Sequence, residues 1–102
     1  MLKIAICEDN EIFVEIIKNN LETMLNIPYK LDSFLSGREF LKALSENVCQ
    51  YNLVFLDIEL EDKSISGIDL GQMINSWNPQ TQLIFISQYL EYASDVYSTK
   101  HT

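Results

Sequence analysis

Four short apolar runs alternate with longer segments whose apolar residues recur every three or four positions, and few folds accept that order. The runs are Leu2 to Cys7, Tyr29 to Leu35, Leu53 to Leu56 and Leu83 to Ile86. They have strand length, and β-branched Ile4 and Ile6 favour an extended chain in the first. The second alternates loosely, with Leu31, Ser33 and Leu35 on one side. The third is apolar throughout, as in a strand covered on both faces of a parallel sheet. Between the runs lie helical stripes: Ile12, Phe13, Ile16, Ile17, Leu21, Met24 and Leu25, then Phe40, Leu41 and Leu44, then Ile68, Leu70, Met73, Ile74 and Trp77. A last stripe uses Leu90, Ala93 and Tyr97. The order βαβαβαβα implies right-handed crossovers and helices on both faces of the sheet.

Local signals punctuate these elements. Asp9 or Asn10 can cap the first helix, and Pro28 marks its end. Ser36 followed by Glu39 forms a capping-box pattern for the second. A polar loop from Glu59 to Ser66 ends at Gly67, and Asn78-Pro79 closes the third helix. With 102 residues the chain holds one hydrophobic core and makes one domain. No apolar run nears the ~20 residues that span a bilayer, and no signal-peptide pattern opens the chain, so the cytoplasm is expected. Cys7 ends an apolar run and reads as a small core residue. Cys7 and Cys49 lack metal-ligand spacing and suggest no disulfide.

Fifteen acidic residues against seven basic ones give a net charge of −8. That field repels nucleic acid, whose binding depends on Lys and Arg at phosphates. Most of these charges need no role beyond a solvated surface. Glu61, Asp62 and Asp69 read that way. Clustered carboxylates, by contrast, suit a divalent cation.

Ligands in open α/β sheets bind beyond the carboxyl ends of the strands, near the point where strand order reverses. The first run ends at Glu8-Asp9, the third at Asp57 and the fourth at Ser87. If these three strands are neighbours, the groups share one pocket. Carboxylates brought together there raise one another's pKa unless a cation intervenes. Mg²⁺ needs only one or two carboxylates beside water and a phosphate oxygen. Asp57 then has the surroundings of a nucleophile toward phosphorus, and Ser87 could donate a hydrogen bond to a phosphoryl oxygen. Taken alone, Glu8-Asp9 could be no more than an acidic helix start. A carboxylate directly behind four apolar residues is harder to explain as surface.

This set resembles the receiver domain of two-component response regulators. The segments Val54-Phe55-Leu56-Asp57-Ile58-Glu59-Leu60 and Ser66-Gly67-Ile68-Asp69-Leu70 are most similar to receivers of the LytTR transcription-factor class. The resemblance implies a flavodoxin-like doubly wound parallel sheet of order 2-1-3-4. It implies Asp57 as phosphoacceptor, Mg²⁺ held by Glu8, Asp9, Asp57 and the Glu59 backbone carbonyl, and Ser87 as switch hydroxyl. A sensor histidine kinase would be the phosphodonor, and a DNA-binding output domain, absent here, the regulated part. The loop between Asp57 and Gly67 is longer than the family's usual one and lacks its proline. Lys100 precedes the place of the family's lysine, so no residue matches it. The family's fifth strand and helix have no counterpart, so residues 1–102 are expected to form a receiver incomplete at its C-terminus, with a fourth strand prone to self-association.

Two rivals stand beside that reading. A haloacid-dehalogenase-type phosphatase also pairs an aspartate with Mg²⁺, but needs a second Asp two residues on, where this chain has Glu59. It also carries its nucleophile after the first strand. The other is a receiver-like interaction module that signals without phosphorylation, which the unmatched lysine favours. A signalling module, not an enzyme, is the expectation. Tyr89, Tyr92 and Tyr97 lie where receivers meet partners, although aromatics at helical spacing are commonly packing. His101 reads as incidental.

Overall fold

A computed structural model describes residues 1–47, 50–60 and 65–87. The elements are β1 (Leu2–Cys7), α1 (Glu11–Met24), β2 (Tyr29–Phe34), α2 (Gly37–Asn47), β3 (Leu53–Asp57), α3 (Gly67–Trp77) and β4 (Gln82–Ile86). The expected helix over Leu90 to Tyr97 lies outside the described residues, as do Cys49, Glu61, Asp62, Tyr89, Tyr92, Lys100 and His101.

The described strands form one parallel sheet of order β2-β1-β3-β4, the order that the resemblance implies. The chain moves from β1 outward to β2, then reverses across β1 to β3 and on to β4. Right-handed crossovers therefore put α1 on one face and α2 and α3 on the other. The packing agrees with that division. Phe40 and Leu44 of α2 and Leu70 and Ile74 of α3 share one buried cluster with Ala5, Cys7, Val54 and Leu56. Ile4 and Ile6 alternate onto the opposite face and are fully buried. Val14 and Leu21 are the buried residues of α1.

The caps of α1 and α2 follow the local signals, and Ser66 adds a third that the sequence reading did not name. Asn10, not Asp9, caps α1, and its Oδ1 accepts from the Ile12 and Phe13 amides at 2.9 and 3.4 Å. Ser36 Oγ accepts from the Glu39 amide and Ser66 Oγ from the Asp69 amide, both at 3.1 Å. Each cap satisfies amides left open at a helix start and is worth about 1 kcal/mol.

The buried faces depart from the periodic stripes in four places. In α1, Ile12, Ile16 and Met24 are exposed, because its apolar residues surround more of the helix than one sheet face can cover. In α3, Ile68 and Trp77 are exposed while Gly67 and Gly71 are buried; small residues face the sheet where helix and strand approach closely. In β2 the inward residue is Phe34, whose ring stacks on Phe40 at 5.0 Å. Ser33 and Leu35 of the expected side lie exposed. In β3 only Val54, Leu56 and Asp57 are fully buried; Leu53 and Phe55 are half-buried. The loop after β3 is also less polar than its sequence suggests. Leu60 is buried in the core and Ile65 packs against it.

Candidate functional site

The reversal of strand order falls between β1 and β3, and their carboxyl ends open a crevice there. Cys7 pairs with Leu56 across these strands, so Glu8 and Asp57 leave the sheet side by side. The ladder continues one step past both strands. The Glu8 amide donates to the Phe34 carbonyl and the Ile58 amide to the Ile86 carbonyl, each at 3.0 Å. The bases of both acids are thus held by backbone.

Each side chain is fixed by an amide two residues on. Glu8 Oε2 accepts from the Asn10 amide at 3.1 Å, and Asp57 Oδ1 from the Glu59 amide at 3.1 Å. Glu8 and Asp57 are buried, and Asp9 is half-buried beside them. Carboxylate oxygens of the three residues lie within 4.8 Å of one another. Glu8 is therefore no solvated helix start.

Such crowding in a buried crevice is electrostatically costly and raises the carboxyl pKa values. Burial pushes the Glu8 carboxyl up to about 8, helped by a hydrogen bond with Asp9 and the charge of Asp57; the Asn10 amide works against the rise. Asp57 is raised too, chiefly by burial, with the Glu59 amide and a hydrogen bond from Glu8 pulling it back and Asp9 pushing it up. Burial thus bears on both of the deepest carboxyls, and both are pushed up. Beneath them, burial pushes the Cys7 thiol up to about 12, followed by the charges of Asp57, Glu8, Asp9 and Glu39. Its Sγ lies 3.6 Å from the Ser36 carbonyl. A thiol so held is a packing residue, as its place in an apolar run suggests.

The other expected site residues lie at the rim. Glu59 follows Asp57 by two residues and is exposed. Ser87 directly follows β4 and is exposed. The sequence reading overlooked two supports. The Asn10 amide at Glu8 is a backbone donor and leaves no side-chain signal. The close approach of Gly67 to Asp57 depends on tertiary structure, although a glycine at a helix start hints at it.

The comparisons with known proteins agree with this geometry. The family model for the response regulator receiver domain matches residues 4–100. The sensory transduction protein LytR of Staphylococcus epidermidis (strain ATCC 12228 / FDA PCI 1200) is 29% identical over 86 residues. That match covers 83% of this chain and 33% of the relative, so the chain spans about a third of that protein's length. It accords with the likeness to the LytTR class. A response regulator receiver domain protein from Clostridium thermocellum superposes with a TM-score of 0.71 at 21% identity, covering 99% of this chain and 76% of that one. The phosphorylated cyanobacterial phytochrome response regulator RcpA gives 0.71 at 21% identity, covering 97% and 74%. These two likenesses show the flavodoxin-like fold. Receiver domains are in general signalling modules and not enzymes. Among the described residues, no helix is long and apolar enough to cross a membrane. With the match extending over almost all of its length, the chain belongs to the response regulator receiver domain family.

Proposed function

We propose that Asp57 accepts a phosphoryl group and that Glu8, Asp9, Asp57 and the Glu59 backbone carbonyl hold Mg²⁺ beside it. The observation that carries this reading is the convergence of three carboxylates at the strand reversal, two of them buried with raised pKa. Three hard oxygen donors, one of them on half-buried Asp9, suit Mg²⁺, which takes few protein ligands and keeps its waters. When bound, the cation supplies charge that offsets the carboxylates and the phosphoryl oxygens.

The residues of the chain do the rest. The Glu59 amide donates to Asp57 Oδ1 at 3.1 Å and orients the carboxylate, one of whose oxygens attacks phosphorus. The bond from phosphorus to the donor's leaving atom breaks as the new O–P bond forms, giving an aspartyl phosphate. Ser87, one residue past β4, is the switch hydroxyl that donates to a phosphoryl oxygen. Residues 1–102 act as a receiver domain in the cytoplasm, taking the group from a sensor histidine kinase and passing a signal to an output domain, with no catalytic turnover of their own. Self-association through the β4 edge belongs to the same reading. Ile84 and Phe85 support it, at 42% and 43% exposed on that strand.

Incubation of the complete protein with a small phosphodonor and Mg²⁺, followed by mass spectrometry, tests the assignment. One acid-stable, base-labile phosphate on Asp57 is expected, and none after Asp57→Asn. Label that survives this substitution overturns it.

A further inference from the structure

We propose that Gly67 is a positioning residue for Asp57: a side chain there displaces the backbone that carries the carboxylate. The inference rests on the metal and phosphoacceptor reading of Asp57, and it adds a residue from the far end of the loop. A Cβ at position 67 would overlap the Asp57 carbonyl oxygen and stand 2.8 Å from its carbonyl carbon and 3.1 Å from the Ile58 Cα. All three atoms are backbone and cannot rotate aside. The Gly67 amide also donates to the Ile58 carbonyl at 3.2 Å. The chain leaves Asp57, travels through the loop and returns to touch its own starting point.

The two arms of that loop are anchored as well. Leu60 is buried in the core, and Ile65 packs against it. Both approach Gly37 at the start of α2, where an added Cβ would lie 3.0 Å from each. With these two side chains held, an added atom at position 67 presses on the end of β3. There the Ile58 amide is bonded to β4 and Asp57 Oδ1 to the Glu59 amide, so a shift of the Asp57 carbonyl turns the carboxylate and the Glu59 carbonyl together. Sites of this kind lose activity when displaced by about 1 Å.

Gly71 provides the internal control. It lies on the same helix and is equally buried, but its added Cβ would meet the side chains of Phe85, at 2.9 Å, and Leu83, at 3.2 Å. Those contacts disturb packing between α3 and β4 and leave the strand end alone.

Mn²⁺ binding by the full chain, followed by water-proton relaxation, separates the two positions. Gly67→Ala is expected to weaken Mn²⁺ at least tenfold with the circular dichroism spectrum retained. Gly71→Ala is expected to change it less than twofold, whatever it does to the unfolding midpoint. If Gly67→Ala unfolds in buffer, the titration is repeated in sucrose, which restores folding without relieving a local overlap. Affinity of Gly67→Ala within twofold of the parent overturns the inference, as does an equal loss in both variants. No saturable Mn²⁺ binding by the parent would instead overturn the metal reading on which it rests.

Discussion

The two ends of the sheet solve opposite problems. At the amino end, polar groups are matched. The Lys3 amide donates to Asn52 Oδ1 and the Asn52 amide to the Lys3 carbonyl, both at 2.8 Å, while the Asn52 carbonyl accepts from the Gln82 amide at 2.9 Å. Buried Thr81 donates through Oγ1 to the Tyr51 carbonyl at 2.8 Å, and its own carbonyl accepts from Asn75 Nδ2 at 3.1 Å. The Tyr51 hydroxyl reaches Asp32 Oδ2 at 2.8 Å. At the carboxyl end, three acids of one sign are crowded together. One end joins β1, β3 and β4; the other keeps a charge imbalance that favours a cation. The difference teaches that stability and binding capacity are carried by different ends of the same strands.

If that division is right, the largest effect is a pH dependence confined to the acidic end. Glu8 binds its proton more tightly in the folded chain, with its pKa raised from 4.5 to about 8. Its contribution to stability is therefore full below the unfolded value and is lost as pH rises through the folded one. Without divalent cations, the urea midpoint should fall steadily between about pH 5 and pH 8. Mg²⁺ should flatten the slope and Glu8→Gln should largely remove it. A midpoint that rises over this interval would falsify the electrostatic account of the site.

The next effect belongs to the amino end. Thr81→Val keeps the shape and deletes the hydroxyl, leaving the Tyr51 carbonyl without that donor. The expected loss is about 1–3 kcal/mol of unfolding free energy, with Mn²⁺ affinity unchanged. Equilibrium unfolding and metal titration on one sample decide it. A matching loss of metal affinity would join the two ends that are separated here.

The smallest effect has the opposite sign. Asp57→Asn removes one of the repelling charges, so the chain should gain about 0.5–2 kcal/mol in the absence of metal while losing its phosphorylation. Chemical unfolding at neutral pH measures the gain. A clear loss of stability would show that the Asp57 carboxylate supports the fold, and the contrast between the ends would narrow.

Much of this was legible before any coordinates. Strand and helix periods are local, and Leu53 to Leu56 running into Asp57 fits a buried strand that delivers a carboxylate to its end. The cap at Ser36 follows from short-range chemistry, as does the choice of Asp9 or Asn10 at the start of α1. Burial was harder to read, because it depends on which surfaces meet. The stripe Ile12, Ile16 and Met24 is as apolar as Val14 and Leu21, yet the sheet covers only the latter pair. Leu60 lies in a polar stretch and is buried because its side chain meets the start of α2 at Gly37.

The sequence by itself determined the alternation of elements, the place of Asp57 behind a strand and the net charge of −8. These depend on residue type and spacing along the chain. Only the tertiary structure decided that Glu8 is buried, that three carboxylates share one crevice and that Gly67 touches the backbone of Asp57. Each of those follows from the reversal of strand order between β1 and β3 and from a loop that closes on itself. They join residues up to 49 positions apart, as Glu8 and Asp57 are, and no local period in a sequence records such a meeting.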